Sequence, residues 1–253
     1  MIKTLLVSFL ILIATTVSAE EQHVLFNSVL NKYVQNGRVN YKGLCKDPDL
    51  AKYISYLESS DPEKITDQKV RLAFWINAYN AYTLKIICDH YPVKSINDLH
   101  SGGTALGHVF KTTIWDKEIV VINHKATSLN NIEHKIIRPV FKDFRIHFAL
   151  VCAAKSCPAL RPEAYEGSKL DQQLDDQAKL FLSDGSKNRF DVATQKASIS
   201  KIFDWYQKDF GNDNSKVLVA ISKYLPDQIR KSIQSAPDKW EVAYTNYDWD
   251  LNE

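Results

Sequence analysis

The sequence predicts an α+β fold in which a central buried helix packs on a small, mostly antiparallel sheet. Residues 68–88 hold the longest helical pattern, and Arg71 to Leu84 within it is apolar nearly all round. A helix of that kind is buried on every side. Two pairs of short runs, Val109–Ile114 with Glu118–Ile122 and Arg189–Val192 with Ala197–Ile199, read as hairpins. Helices and hairpins mix without the βαβ rhythm of a doubly wound sheet. At 253 residues, 45% hydrophobic and 25% charged, the chain can bury a sizeable core, which excludes disorder.

In chain order, residues 1–19 read as a cleaved signal peptide. Lys3 gives a positive start, Leu5–Ile13 is apolar apart from Ser8, and Val17-Ser18-Ala19 offers a cleavage site before Glu20. Residues 20–253 then form a single domain. Helical spacing at 23–35 stops at Asn36-Gly37, and a second helix follows Asp47-Pro48. After the central helix and the first hairpin, which turns at Trp115-Asp116-Lys117, Leu129–Ile137 is a short helix closed by Pro139. Arg145–Cys152 alternates as a strand does. Helical spacing returns at 170–182 and again at 202–209, 215–224 and 226–234, with Glu241–Tyr244 closing a sheet edge.

The 32 basic and 30 acidic side chains nearly cancel without a clustered basic patch, so no nucleic-acid partner is expected. After signal cleavage no apolar stretch is long enough for stable membrane insertion. The mature chain is expected to be soluble and periplasmic or extracellular. In that oxidising setting Cys45, Cys88, Cys152 and Cys157 allow three pairings, of which Cys45–Cys88 with Cys152–Cys157 is the plainest.

Three segments can carry chemistry. On the central helix, Asn77 and Asn80 are neighbours three residues apart; buried amides must be bonded, either to a loop backbone or in a polar cleft. On the helix at 129–137, Glu133 lies beside the apolar stripe of Leu129, Ile132 and Ile136. His134 sits at the margin of that stripe, where its ring could reach a cleft. In Arg145–Pro158, Cys152 ends the strand and His147 points to its other face. Cys157 precedes Pro158, which suits the first position of a helix; a thiol there is activated by the helix N-terminus, with Lys155 and Arg161 adding positive charge. Against this stands a short Cys152–Cys157 disulfide. Zinc could draw on Glu133, His134, His147, Cys152 and Cys157, but no C-x-x-C or H-E-x-x-H spacing appears. No metal or other cofactor is expected. His90, His100, His108 and His124 read as solvated; Tyr41, Tyr165, Trp205, Tyr206, Tyr247 and Trp249 read as packing.

Phe74–Ala81, Leu129–His134, Arg145–Pro158 and the closing Tyr247–Asn252 together resemble the family called domain of unknown function 547, most specifically over about 70–210. That resemblance implies an architecture and a set of positions, not a reaction. Ala153 stands where the family's turn is expected to have Gly. Two functions remain in view. The first is a cysteine-dependent hydrolase or acyl transferase acting on a small molecule or peptide. Cys157 would be its nucleophile and His134 its base, with Glu133 and Asn77 in the catalytic set and Asn80, His147, Cys152 and Arg161 about the substrate. A papain- or transglutaminase-like core would suit it only in permuted order, because His134 precedes Cys157. The second is a non-catalytic binding or scaffold domain stapled by Cys152–Cys157.

Overall fold

The computed structural model describes residues 23–100 and 113–253. The leader read at 1–19, His108 and most of the run at Val109–Ile114 lie outside the described residues. Helix α1 (Val24–Tyr33) leads into a two-stranded hairpin of β1 (Val34–Gln35) and β2 (Arg38–Val39). Asn36 and Gly37 turn it with φ of 52° and 75°, the left-handed pair that a tight hairpin demands. Gly37 is also held by space: a Cβ there would lie 2.5 Å from that of Ala159. Helix α2 (Pro48–Ser59) starts on Asp47, which accepts the Asp49 N–H. Helix α3 (Gln68–His90) starts on Asp67, which accepts from Lys69 and Val70. Both caps satisfy N–H groups that a helix start leaves open.

Helix α3 is the predicted central helix, buried continuously from Leu72 to Leu84. It packs chiefly on α2, on the helical segment that follows residue 128 and on the turn Gly167–Lys169. It meets strand β3 (Val120–Ile122) through Tyr82, whose hydroxyl donates to Val121 O at 2.7 Å. A disulfide between Cys45 and Cys88 ties its last turns to the N-terminal helices. These elements share the larger apolar core. A second core gathers α4 (Leu170–Ser183), β5 (Arg189–Asp191), β6 (Lys196–Ile199), α5 (Asn214–Ser222), α6 (Asp227–Ser235) and β7 (Glu241–Tyr244). Strands β5 and β6 are antiparallel, whereas β7 joins β6 in parallel. The fold is α+β, and most of its strand pairs are antiparallel. No helix among the described residues is long and apolar enough to cross a membrane.

Several local expectations are corrected. Of the hairpin expected across Trp115–Lys117, the first arm lies mostly outside the described residues; the second arm holds β3, which pairs with β4 (Lys125–Thr127), because Asn123 and His124 supply the positive φ values for a tight turn. Pro139 does not close its helix. Leu129–Asn131 continues through a π-helical turn, Ile132–Ile137, and a last turn, Arg138–Phe141. Pro139 falls in the first turn after the π segment, where a missing N–H costs little. Arg145–Cys152 is not a strand. Phe144–Phe148 is a 3-10 helix capped by Asp143, followed by irregular backbone. Its alternation reflects burial on all sides, which periodicity alone cannot distinguish from a strand. Pro158 opens no helix; the next helical turn is Gly167–Lys169. The 202–209 helix is two short turns, Ile202–Trp205 and Gln207–Phe210. His100 is buried rather than solvated, accepting the Ile114 N–H on Nδ1 and meeting the Trp115 ring edge-on.

Candidate functional site

The two asparagines of α3 act as backbone clamps. Asn77 donates to Tyr165 O at 2.8 Å and accepts Tyr165 N–H at 2.9 Å. Asn80 does the same across Ala149 O and Val151 N–H, each at 2.9 Å. A buried, strandless segment has no ladder to satisfy its peptide groups, and a side-chain amide can serve both a carbonyl and an N–H. Asn80 therefore fixes the backbone just ahead of Cys152. Neither amide is among the residues that line the cleft described below; Asn77, expected in the catalytic set, and Asn80, expected about the substrate, both hold loop backbone.

Beyond the clamp the chain loops through Ala153, which takes φ of 60°, the left-handed conformation that favours the glycine expected at this turn. Cys152 and Cys157 are joined as a disulfide, and the described residues hold no free cysteine. Of the two alternatives left by the sequence the disulfide is present, and the helix start expected at Pro158 is corrected. The Cys152 N–H donates to Cys157 Sγ at 2.9 Å, and the Tyr247 hydroxyl lies 3.2 Å from each sulfur. Tyr247 is delivered by the C-terminal strap. Its backbone bonds to Lys155, Ser156, Ala153 and Lys94 while Asn252 O accepts Val39 N–H. This strap gives the resemblance at Tyr247–Asn252 a structural meaning, since it holds the cysteine loop in place.

The bridge forms part of the wall of a cleft of about 650 Å³ between the two cores. Tyr79 and Trp115 come from the first core, Ile202, Trp205 and Tyr206 from the second, and Tyr247 with Trp249 from the strap. Ring centroids run 5.8 Å from Trp115 to Trp249, 4.6 Å on to Tyr247 and 4.8 Å from there to Trp205. Trp205 is 46% exposed, unusual for the largest apolar side chain.

Glu133, His134, Arg138 and His147 line the polar part of the cleft. The π turn carries Glu133 inward: Arg138 N–H bonds to Glu133 O, five residues back. Such turns shift the register of a helix face, often at working sites. The Tyr79 and Tyr206 hydroxyls face the Glu133 side chain. Burial first, and the Glu133 charge second, hold both phenols protonated far above their usual range. Arg138 grips Asp209 at 2.6 and 2.9 Å and donates from Nη1 to His134 Nδ1 at 2.8 Å. Arginine cannot accept, so His134 carries its proton on Nε2. Burial is the main cause that lowers the His134 pKa, ahead of the opposing Glu133 charge. His134 Nδ1 is therefore occupied, and its hydrogen bond is to Arg138 rather than to Cys157. His147 stacks on Tyr206 with centroids 3.9 Å apart, and its Nε2 bonds Asp209 at 2.7 Å. Burial alone would raise the Asp209 pKa. Bonds from His147 and Arg138 outweigh it and hold the carboxyl well below the usual range.

The structure thus brings Cys157, Cys152, Glu133, His134 and His147 to one cleft and leaves out Asn77, Asn80 and Arg161. Arg161 reaches away to the Gln173 carbonyl, Gln177 and Glu163, because the segment after Pro158 runs over α4. Among the described residues no three His, Cys, Asp or Glu side chains gather as a metal site. Sequence reasoning missed Arg138, Asp209, Tyr79 and the aromatic wall. The four-residue step from His134 to Arg138 was a usable signal, since it places both on one helix face.

Residues 62–182, which contain α3, Glu133, His134 and the cysteine loop, match the family described as protein of unknown function, DUF547. No curated protein and no solved structure matches the chain.

Proposed function

We propose that this chain, whose residues 62–182 belong to the DUF547 family, is an exported binding domain that takes a small organic ligand in the aromatic cleft. The observation that carries this is the wall itself: rings from three separated parts of the chain surround about 650 Å³ of space ending on a buried carboxylate. Concave, mainly apolar sites with a few convergent polar groups are the usual form of ligand pockets. The Cys152–Cys157 bridge serves as a staple that fixes the cysteine loop and, through Tyr247, part of the wall. Intrinsic fluorescence tests the reading, because Trp115, Trp205 and Trp249 line the space. A panel of aromatic and aliphatic small molecules should include compounds that shift the emission saturably, with Trp205→Ala weakening them. A panel with no saturable response would overturn the proposal.

A second reading is favoured by one observation, that Cys157 borders the cleft. Reduction of the bridge would free a thiol for hydrolase or acyl-transferase chemistry, in the permuted papain-like sense expected from sequence. His147, held by Asp209, would then suit the base better than His134, whose Nδ1 is taken. Hydrolysis of a panel of model thioesters, appearing only after reduction and lost in Cys157→Ser, would support it. Equal rates with and without reductant would dismiss it.

A further inference from the structure

We infer that the cleft selects ligands bearing a protonated amine, received by Glu133; this rests on the binding reading above and specifies its ligand. Glu133 lines the cleft with a side chain only 7% exposed. Its Oε1 is buried without a hydrogen-bond donor. The nearest imidazole nitrogen, His134 Nδ1, is 3.9 Å away and already accepts from Arg138, so it offers Glu133 no proton. The Tyr79 and Tyr206 hydroxyls lie beside the side chain and leave that oxygen unsatisfied. A buried carboxylate oxygen without a donor is costly, and an N–H group with positive charge is the partner that most fully relieves it.

The surroundings point the same way. Among the described lining residues Arg138 is the one cation with a fixed charge, and Asp209 neutralises it in a two-point ion pair. Glu133 is not part of that pair and keeps an oxygen open to the cleft. The aromatic rings that line the cleft beside this polar end carry π systems that favour an ammonium over a carboxylate. An anionic ligand would lose its hydration to meet the Glu133 carboxylate; a neutral alcohol would bring that carboxylate no charge. The chemical class is therefore a primary or secondary ammonium on an apolar or aromatic body, whether a free amine or the lysine side chain of a peptide.

The test uses the bridged, non-reduced protein and three probes of nearly one shape: 2-phenylethylammonium, 2-phenylethanol and 3-phenylpropanoate. Titration calorimetry on wild type should rank the ammonium about ten-fold or more tighter than the alcohol, with the carboxylate weakest. Glu133→Gln keeps the shape and removes the charge, so it should bring ammonium and alcohol within about three-fold of each other. Equal binding of all three by wild type would overturn this inference while leaving the binding domain intact. Failure of every probe to bind would count against the binding reading as well. The wild-type ranking decides the matter even if Glu133→Gln fails to fold. If the ammonium binds, N-acetyl-lysine amide separates a peptide source from a free amine: binding comparable to the probe points to the side chain of a peptide.

Discussion

Replacing Asn80 by Ala removes a group that closes two buried backbone contacts, to Ala149 O and Val151 N–H. Both peptide groups lie in a segment without strand partners, and the amide itself is 2% exposed. Leaving one buried donor or acceptor unsatisfied costs about 1–3 kcal/mol. Because the loop can relax somewhat, about 2–4 kcal/mol is expected for the pair together. Urea unfolding of non-reduced protein, followed by far-UV circular dichroism, measures it as a lower midpoint with an unchanged slope. Asn31→Ala is the control. Asn31 bonds one exposed helix carbonyl, Asn27 O, so its loss should stay within about 0.5 kcal/mol. Asn77→Ala should cost as much as Asn80→Ala, since it frees both Tyr165 groups. Ligand affinity separates the two: Asn80 fixes the backbone leading to Cys152, so its variant should also weaken binding in the cleft, while Asn77→Ala should not. A loss below about 0.5 kcal/mol for Asn80→Ala would refute the reasoning, as would equal effects of both variants on binding.

Other consequences can be measured on the same material. Burial holds the pKa of His23 down to about 4 from 6.5, so the folded state keeps it neutral while the unfolded state takes up a proton. Its contribution is complete above pH 6.5 and drains away as pH falls towards 4, by about 3 kcal/mol in all; in His23→Gln the slope of stability across that window should flatten. Ala153→Gly relieves a left-handed alanine worth about 1–2 kcal/mol and gives back about half of that in unfolded-chain entropy. A small rise in melting temperature is expected, and a fall would contradict the role given to φ at that position. Removing the Cys45–Cys88 bridge, which closes 43 residues, should cost about 2–4 kcal/mol in denaturant titration.

Much of the fold was legible because local signals agreed with tertiary need. Asp47-Pro48 and Asp67 mark helix starts by chemistry that works in any context, and Asn36-Gly37 marks a turn for the same reason. Burial of α3 followed from its lack of a polar face. The Arg145–Cys152 segment was misread because a segment buried on every side carries no amphipathic period, and its peptide partners, Asn80 and Gln177, lie far away in sequence. The site was legible in part for a similar reason. Glu133, His134, His147, Cys152 and Cys157 fall within about 25 residues and looked chemical by type. Trp115, Trp205, Tyr206, Tyr247 and Trp249 look like core residues singly and become a wall only where two cores and a strap converge. The π turn was invisible too, since it depends on one displaced hydrogen bond rather than on composition.

The cysteine loop still distinguishes its two sulfurs, though for a different reason from the one the sequence suggested. No helix begins at Pro158, so no helix end activates Cys157. Instead the Cys152 N–H points at Cys157 Sγ at 2.9 Å, and the Tyr247 hydroxyl, kept protonated by burial, is shared between both sulfurs. Hydrogen-bond donors stabilise a thiolate more than a thiol. When a reductant opens the bridge, Cys157 therefore holds the better-stabilised charge. It should leave as thiolate while the attacking thiol forms its mixed disulfide on Cys152, because the more stable thiolate departs faster. Trapping with a small thiol under limiting reduction, followed by peptide mass spectrometry, should find the adduct mainly on Cys152 and alkylation mainly on Cys157. Tyr247→Phe should slow reduction while leaving that preference in place, since the peptide N–H that creates the preference remains. An even split between the two cysteines in the unaltered protein would show that this N–H does not bias the bridge.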